Sequence, residues 1–386
     1  MTVTNDAVTF PALEQLRARG TVKWTAFDQD VLPLWVAESD ATTCPAVRTA
    51  IAEACEKEQF GYLSQDISAL TTATADFSAA RYGWRPKPEN IFAIADVVRG
   101  VSLAVEHFTR PGSAIVVPTP AYMPFFQLGP ALGRDTVCIP TLDDGPEMSA
   151  LERAFADGAG CLILCNPNNP LGFTYSADTL REITDLASRY GVRVISDEIH
   201  GPVVLDGTHT PTASVSETAA AVTITVTATS KGWNTAGLKC AQILFNDEDA
   251  ATWQGLPFIV REGASILGVA AATAAYRDGV AWLDNFIEVL RNNRDTLSTR
   301  LAEIAPQARF TPPAASFLAW LDLTDVPGID AEDPAAWLVK NAKIALNPGF
   351  AFGEGGAGHV RLNFATSPEI LNEALDRFAA ALPASN

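Results

Sequence analysis

The sequence predicts an α/β protein: a mainly parallel seven-stranded sheet covered by helices, joined to a smaller α+β domain. Three observations point there. Short, continuous β-branched or apolar runs alternate with helical stretches from about residue 90 to residue 245, the pattern of strands buried on both faces. The 386 residues exceed what a single hydrophobic core holds, so two domains are expected. Helical pattern then dominates from about Gly263 to Ala305, and mixed strand and helix patterns close the chain.

The first 45 residues are irregular, with turn signals such as LPLW and TTCP, and are read as a segment, 1–45, that joins the small domain. PAVRTAIAEACEKEQF sets Val47, Ala50, Ile51 and Ala54 at helical spacing, with Pro45 near the first turn, where proline suits a helix. The large domain, 46–285, holds the strands IFAIA, AIVVP, TVCI, CLILC, VRVIS, VTITVTA and AQILF. Between them lie helical patterns such as VVRGVSLAVEHF, LERAFA and SADTLREITDLASRYG. AQILF returns tightly and is expected to run antiparallel. The small domain, 286–386, contains SFLAWLDL, HVRLNF and a closing helix near PEILNEALDRFAAAL. No internal repeat or low-complexity tract interrupts the chain.

Hydrophobic residues make up 48% and charged residues 19%, a well-buried globular composition. The 45 acidic and 27 basic residues leave a formal charge of −18, which repels nucleic-acid phosphates and anionic membranes, so neither is an expected partner. Cysteines stand at 44, 55, 138, 161, 165 and 240. Cys161 and Cys165, in CLILC, read either as a metal pair or as buried free thiols of a reducing cytoplasm. No Cys/His cluster completes a metal site, so no metal is expected. MTVTNDAVTF lacks a basic and an apolar leader region, and no apolar run spans a membrane; a cytoplasmic protein is expected.

Ligands of open parallel sheets bind at the carboxyl ends of the strands. After IFAIA comes Asp96-Val97-Val98-Arg99, opening a helix whose backbone amides suit an anion. After AIVVP comes TPAYMPFF with Tyr122; after CLILC, NPNNPLG with Asn169; after VRVIS, DEIH with Asp197 and His200; after VTITVTA, Ser230 and Lys231. Each has a plainer reading by itself. Lys231 could reach water, Asp197 could cap a helix, His200 could be structural, and Tyr122 could be loop packing. Asn166 and Asn168 read as turn residues. Lys239 could be an exposed lysine and Arg361 a strand residue facing solvent. A lysine at a buried strand end, however, loses solvation of its charge and favours the neutral amine.

NPNNPLG, SDEIH, the Ser230-Lys231 pair and HVRLNF, in this order, resemble the fold-type I pyridoxal-phosphate enzymes of the aminotransferase class I/II family. The resemblance runs from about Leu34 to the last helix. It implies that Lys231 forms the Schiff base with the cofactor, pyridoxal 5'-phosphate, and that Asp197 pairs with the pyridine nitrogen. Asn169, with His200 nearby, would bond the phenolic oxygen, and Tyr122 would stack on the ring. Ser230, Lys239 and the backbone of Val97 and Val98 would hold the phosphate. Tyr62, in FGYLSQD, would reach the neighbouring subunit's phosphate site, which implies a homodimer with shared active sites. Arg361 would clamp the substrate α-carboxylate through two parallel bonds.

Within that family, LWVAESD, SDEIH with histidine rather than tyrosine, and KGWNTAGLK are similar to the MalY/PatB-type cystathionine β-lyases. Leu171 stands where the family's NPTG has threonine, Glu38-Ser39 where Asp-Met is common, and Arg99 where proline is frequent. The implied activity is α,β-elimination on cystathionine or related thioether amino acids, releasing a thiol, pyruvate and ammonia. An aminotransferase using the same residues, or a regulatory protein that retains the fold, are the alternatives. Trp24, Trp35, Tyr62 or Phe350 could contribute to the side-chain pocket, but such aromatics read more often as core, and the sequence does not choose among them.

Overall fold

In the computed structural model, residues 6–142 and 144–383 are described; residues 1–5, 143 and 384–386 lie outside them. The strands are β1 Leu32–Pro33, β2 Ile91–Ile94, β3 Ile115–Thr119, β4 Thr136–Leu142, β5 Gly145–Pro146, β6 Cys161–Cys165 and β7 Arg193–Asp197. They continue as β8 Thr223–Thr227, β9 Ala241–Leu244, β10 Arg309–Phe310, β11 Leu318–Asp322, β12 Ile344–Ala345, β13 Asn347–Pro348 and β14 His359–Asn363.

The large sheet has the order β2-β9-β8-β7-β6-β3-β4-β5. From β4 through β3, β6 and β7 to β8 the pairs are parallel, while β9 runs antiparallel to both β8 and β2. All seven expected runs are strands, and AQILF is antiparallel as expected. The eighth strand, β5, is a two-residue hairpin return from β4, too short to leave a periodic signal in the sequence.

Side-chain alternation explains why the runs read as continuously apolar. Ile115, Val117, Ile163, Ile195 and Val226 pack on one face against the helix Val97–Phe108; Val116, Leu162, Leu164 and Val194 pack on the other against the helices Met148–Ala156 and Ala177–Tyr190. Gly100 sets the close approach of the first of these helices. A Cβ there would fall 2.3 Å from Ile94 Cδ1 and 2.7 Å from Val226 Cγ1. The helix N-terminus is thereby held against the ends of the strands.

A second sheet, β10-β11-β14-β13, is antiparallel throughout. The N-terminal segment is tied to this end of the chain, because β1 pairs parallel with β12, Leu32 opposite Ile344 and Pro33 opposite Ala345. The helix Val280–Ile304 runs unbroken through residue 285. Its buried face, including Phe286, Leu290 and Leu297, shares one core with Phe317, Leu362 and Phe378. All six cysteines are free, and Cys161 and Cys165 are buried. No helix among the described residues is long and apolar enough to cross a membrane.

Candidate active site

The carboxyl ends of β6, β7 and β8 lie side by side, Cys165 opposite Asp197 and Asp197 opposite Val226. Lys231 follows β8 and turns inward. Its Nζ donates to the Ala37 carbonyl at 2.8 Å. Burial, helped by the Arg361 charge and opposed by Asp197 and Glu38, lowers the amine from 10.5 to about 8. The turn is rigid behind it. Trp233 is fully buried, its indole N–H donating to the Gly279 carbonyl at 2.9 Å, and Thr229 and Thr235 share a hydroxyl bond of 2.7 Å. A neutral amine is the form that condenses with an aldehyde. Cofactor-free protein should therefore take up pyridoxal 5'-phosphate faster as pH rises through about 8, levelling off above it. Stopped-flow absorbance measures this directly, and a flat rate between about pH 6.5 and 9 contradicts it.

Asp197 is 3% exposed, and burial raises its carboxyl from 3.8 to about 7, against the backbone N–H of Ile199 and the charge of Lys231. The Ile199 N–H donates to Oδ1 at 3.0 Å. The neighbouring carboxylate of Glu198 is engaged elsewhere: it accepts from Ser196 Oγ and the Thr212 N–H, both at 2.9 Å, and meets His209 Nε2 at 2.9 Å. His200 is buried edge-on to Phe317, its Nδ1 without a protein partner. Burial and the charges of Lys231 and Arg361 push it well below the usual histidine range, so the imidazole is neutral.

Arg361, on β14, is 2% exposed. Its Nη1 donates to Asn169 Oδ1 at 3.0 Å; its Nη2 donates to Asn347 Oδ1 at 2.6 Å and to the Trp35 carbonyl at 3.2 Å. The guanidinium lies 4.9 Å over the Phe352 ring, a favourable stacking for arginine. Burial lowers it to about 10, and its buried Nε has no protein partner. Because Asn169 uses its oxygen on Arg361, its amide N–H groups face elsewhere. Asn166 donates to the Thr210 carbonyl and to Thr212, and Asn168 accepts from the Leu171 N–H. Both stabilise the turn that presents Asn169.

Tyr122 is part-buried, edge-on to Phe125 at 5.6 Å, and leads into the helix Pro124–Leu132. Val97 and Val98 open their helix, and Asp96 caps it by accepting from the Arg99 N–H at 2.9 Å. Lys239 stands beside this cap: its Nζ meets Asp96 Oδ2 at 2.8 Å, while its side chain stays exposed. Ser230 is part-buried directly before Lys231. Tyr62 lies apart, 100% exposed, at the edge of an 830 Å³ groove that Phe92, Trp253 and Phe258 also line.

Among the aromatic residues weighed for pocket or core, Trp24 belongs to the core, with its indole N–H donating to Asp40 Oδ1 at 2.9 Å. Trp35 is part-buried and Phe350 is exposed on the loop before Phe352. Sequence reasoning missed Asn347, Phe352 and Lys23. Asn347 and Phe352 stand in the glycine-rich stretch NPGFAFGEGG, which carries no motif signal of its own.

These groups suit an anionic aromatic aldehyde. The amine lowered to about 8, the buried carboxyl seeking a cation, and the helix amides near Lys239 match its three functional parts. The unpartnered buried nitrogens of His200 and Arg361 leave polar capacity for a ligand.

The sequence profile of the family "Aminotransferase class I and II" matches residues 29–378. The chain is 49% identical over 374 residues to a cystathionine beta-lyase of Corynebacterium glutamicum, covering 97% of this chain and 100% of the relative. It is 35% identical to the cystathionine beta-lyase PatB of Bacillus subtilis, over 97% of this chain and 99% of the relative. A solved structure from Corynebacterium diphtheriae, described as a candidate PLP-dependent beta-cystathionase, superposes with a TM-score of 0.94 at 50% identity, covering 97% of this chain and 99% of the other.

Proposed function

The chain belongs to the aminotransferase class I and II family, and on that premise we propose that it is a pyridoxal-phosphate-dependent carbon–sulfur β-lyase. It cleaves cystathionine or related cysteine S-conjugates to a thiol, pyruvate and ammonia. The observation that carries this reading is the 49% identity with a cystathionine beta-lyase across nearly the whole length of both chains.

Pyridoxal 5'-phosphate, when bound, withdraws electrons from the substrate Cα. The roles proposed for the residues are those the family resemblance implies, and their surroundings are compatible with them. Lys231 would hold the cofactor covalently, and its free amine is the base that would take the proton from the substrate Cα. Asp197 supplies the negative charge that keeps the ring nitrogen protonated. Asn169, fixed by Arg361, offers its amide to the phenolic oxygen, and neutral His200 borders the same side. Tyr122 packs on the ring. The amides of Val97 and Val98, the Ser230 hydroxyl and Lys239 receive the phosphate, with Asp96 holding Lys239 at the helix mouth. Arg361 binds the substrate carboxylate from a dry position, where a charge-assisted pair is strong.

The electron pair of the broken Cα–H bond ends in a Cα=Cβ bond, and the Cβ–S pair leaves with sulfur as a thiolate. The released enamine takes up water to give pyruvate and ammonia. We assign a homodimer in which Tyr62 reaches the partner's phosphate site; its full exposure beside a large open groove supports this. We keep 46–285 as the large domain and 286–386, with 1–45, as the small one, supported by the β1–β12 pairing. Six free cysteines support a cytoplasmic location.

Purified protein given cystathionine and no keto acid should release pyruvate, at a rate unchanged by added 2-oxoglutarate. A strict requirement for the keto acid makes the protein an aminotransferase and ends this reading.

A further inference from the structure

We propose that the buried Lys23–Asp40 ion pair is a positioning device that fixes the strap 34–41 so that the Ala37 carbonyl holds the Lys231 amine whenever that amine is off the cofactor. This rests on the reading of Lys231 as the reactive amine.

The strap is irregular backbone. Backbone bonds anchor it at both ends, the Leu34 N–H donating to the Ala345 carbonyl and the Asp40 N–H to the Ala365 carbonyl, each at 2.9 Å, and within it the Glu38 N–H donates to the Val36 carbonyl at 2.8 Å. Its own carbonyls meet donors from elsewhere in the chain. The Leu34 carbonyl accepts from the Asn363 N–H at 2.9 Å, and that of Trp35 from Arg361 at 3.2 Å. The Val36 and Glu38 carbonyls both accept from Asn363 Nδ2, at 2.6 and 2.8 Å. The Ser39 carbonyl accepts from Asn234 Nδ2 at 2.9 Å, and the Ser39 N–H donates to Asn234 Oδ1 at 3.0 Å. Between them, the Ala37 carbonyl takes Lys231 Nζ at 2.8 Å. Every carbonyl from 34 to 39 is thus engaged, and two of the donors are Arg361 and Lys231.

Lys23 and Asp40 close the far end. Both side chains are 0% exposed, and Nζ lies 2.8 Å from Oδ2. That contact is an ion pair outside hydrogen-bond geometry, and no hydrogen-bond donor reaches this oxygen. The ammonium also donates to the Glu38 carbonyl at 3.0 Å, and Trp24 donates to the other carboxylate oxygen at 2.9 Å. One cation therefore grips the strap at residues 38 and 40, immediately after the carbonyl that receives Lys231. A buried ion pair is a poor source of stability compared with apolar side chains of the same volume, and its well-attested use is to specify geometry. With one N–H on Ala37, the neutral amine keeps its lone pair for the Cα proton.

The test is the double variant Lys23→Met/Asp40→Leu, which removes both charges together and so avoids stranding either one. In cofactor-free protein, competitive acetylation read by mass spectrometry compares Lys231 with exposed Lys239. The expected result is labelling of Lys231 at least about threefold faster relative to Lys239, because the amine leaves its carbonyl. In loaded enzyme, kcat should fall about tenfold while KM for cystathionine stays within about twofold. Wild-type labelling and kcat in a folded double variant overturn the proposal. Asp40→Asn, which keeps an acceptor for Trp24, decides the matter by the same two readouts if the double variant does not fold. A Lys231→Ala protein that still turns over defeats the parent reading instead, and leaves the wild-type labelling comparison intact.

Discussion

Lys231→Ala protein should bind pyridoxal 5'-phosphate without the visible absorbance of the lysine-bound cofactor and should release pyruvate at least about 10⁴-fold more slowly than wild type. The size of the loss follows from the double duty of one nitrogen. On the proposed reading it holds the cofactor, and it is the base placed to take the Cα proton. The fold should survive the change. The Lys231 amine makes one bond to the protein, to the Ala37 carbonyl, and its ionised form is disfavoured by burial. Truncation removes a partly desolvated cation rather than a support, so the melting temperature of cofactor-free protein should not fall. Borohydride reduction of loaded wild-type enzyme, followed by peptide mapping, should place the cofactor on the peptide containing Lys231. Pyruvate release by the variant within about tenfold of wild type would show that another group does the chemistry.

Residues whose role depends on side-chain type at a strand end were legible from the sequence; those acting through backbone or distant pairing were not. The strands could be read because both faces of the large sheet are covered, which makes runs such as CLILC uniformly apolar. Their ends then pointed to Asn169, Asp197 and Lys231. The strap offered no such handle. Its contribution is a row of carbonyl oxygens, which every residue type supplies. Lys23 looks in the sequence like any surface lysine, yet its side chain is fully buried. Lys239 was legible as a charge but not its partner, because Asp96 lies 143 residues away. The sequence left Trp24 open between core and pocket. The structure buries it, because Asp40 offers its indole N–H an acceptor inside the core. Arg361 was legible from HVRLNF, whereas the Asn347 and Phe352 that orient it sit in the two-residue strand β13 and the short 3-10 turn after it, both too brief to leave a periodic signal.

Asp197→Asn should move stability and activity in opposite directions. In the cofactor-free protein, burial raises the Asp197 carboxyl from 3.8 to about 7. Between those values the folded protein keeps a proton that the unfolded chain has lost, so stability falls as pH rises through this window. Above pH 7 the whole penalty is present, up to roughly 4 kcal/mol for a shift of about three units. Asparagine has nearly the same shape, can still accept from the Ile199 N–H, and does not titrate. Urea denaturation should therefore find the cofactor-free variant more stable than wild type at about pH 8, with the advantage shrinking toward about pH 4. With cofactor bound the order should narrow or reverse, because only the carboxylate gains a cationic ring nitrogen as partner. Pyruvate release should drop on the order of 10²–10³-fold, the usual loss when a buried electrostatic partner of the reacting group is neutralised. A variant that is less stable than wild type at every pH, with an unchanged pH slope, would mean that Asp197 is ionised and already paired within the protein. Its burial would then hold no charge in reserve for the cofactor.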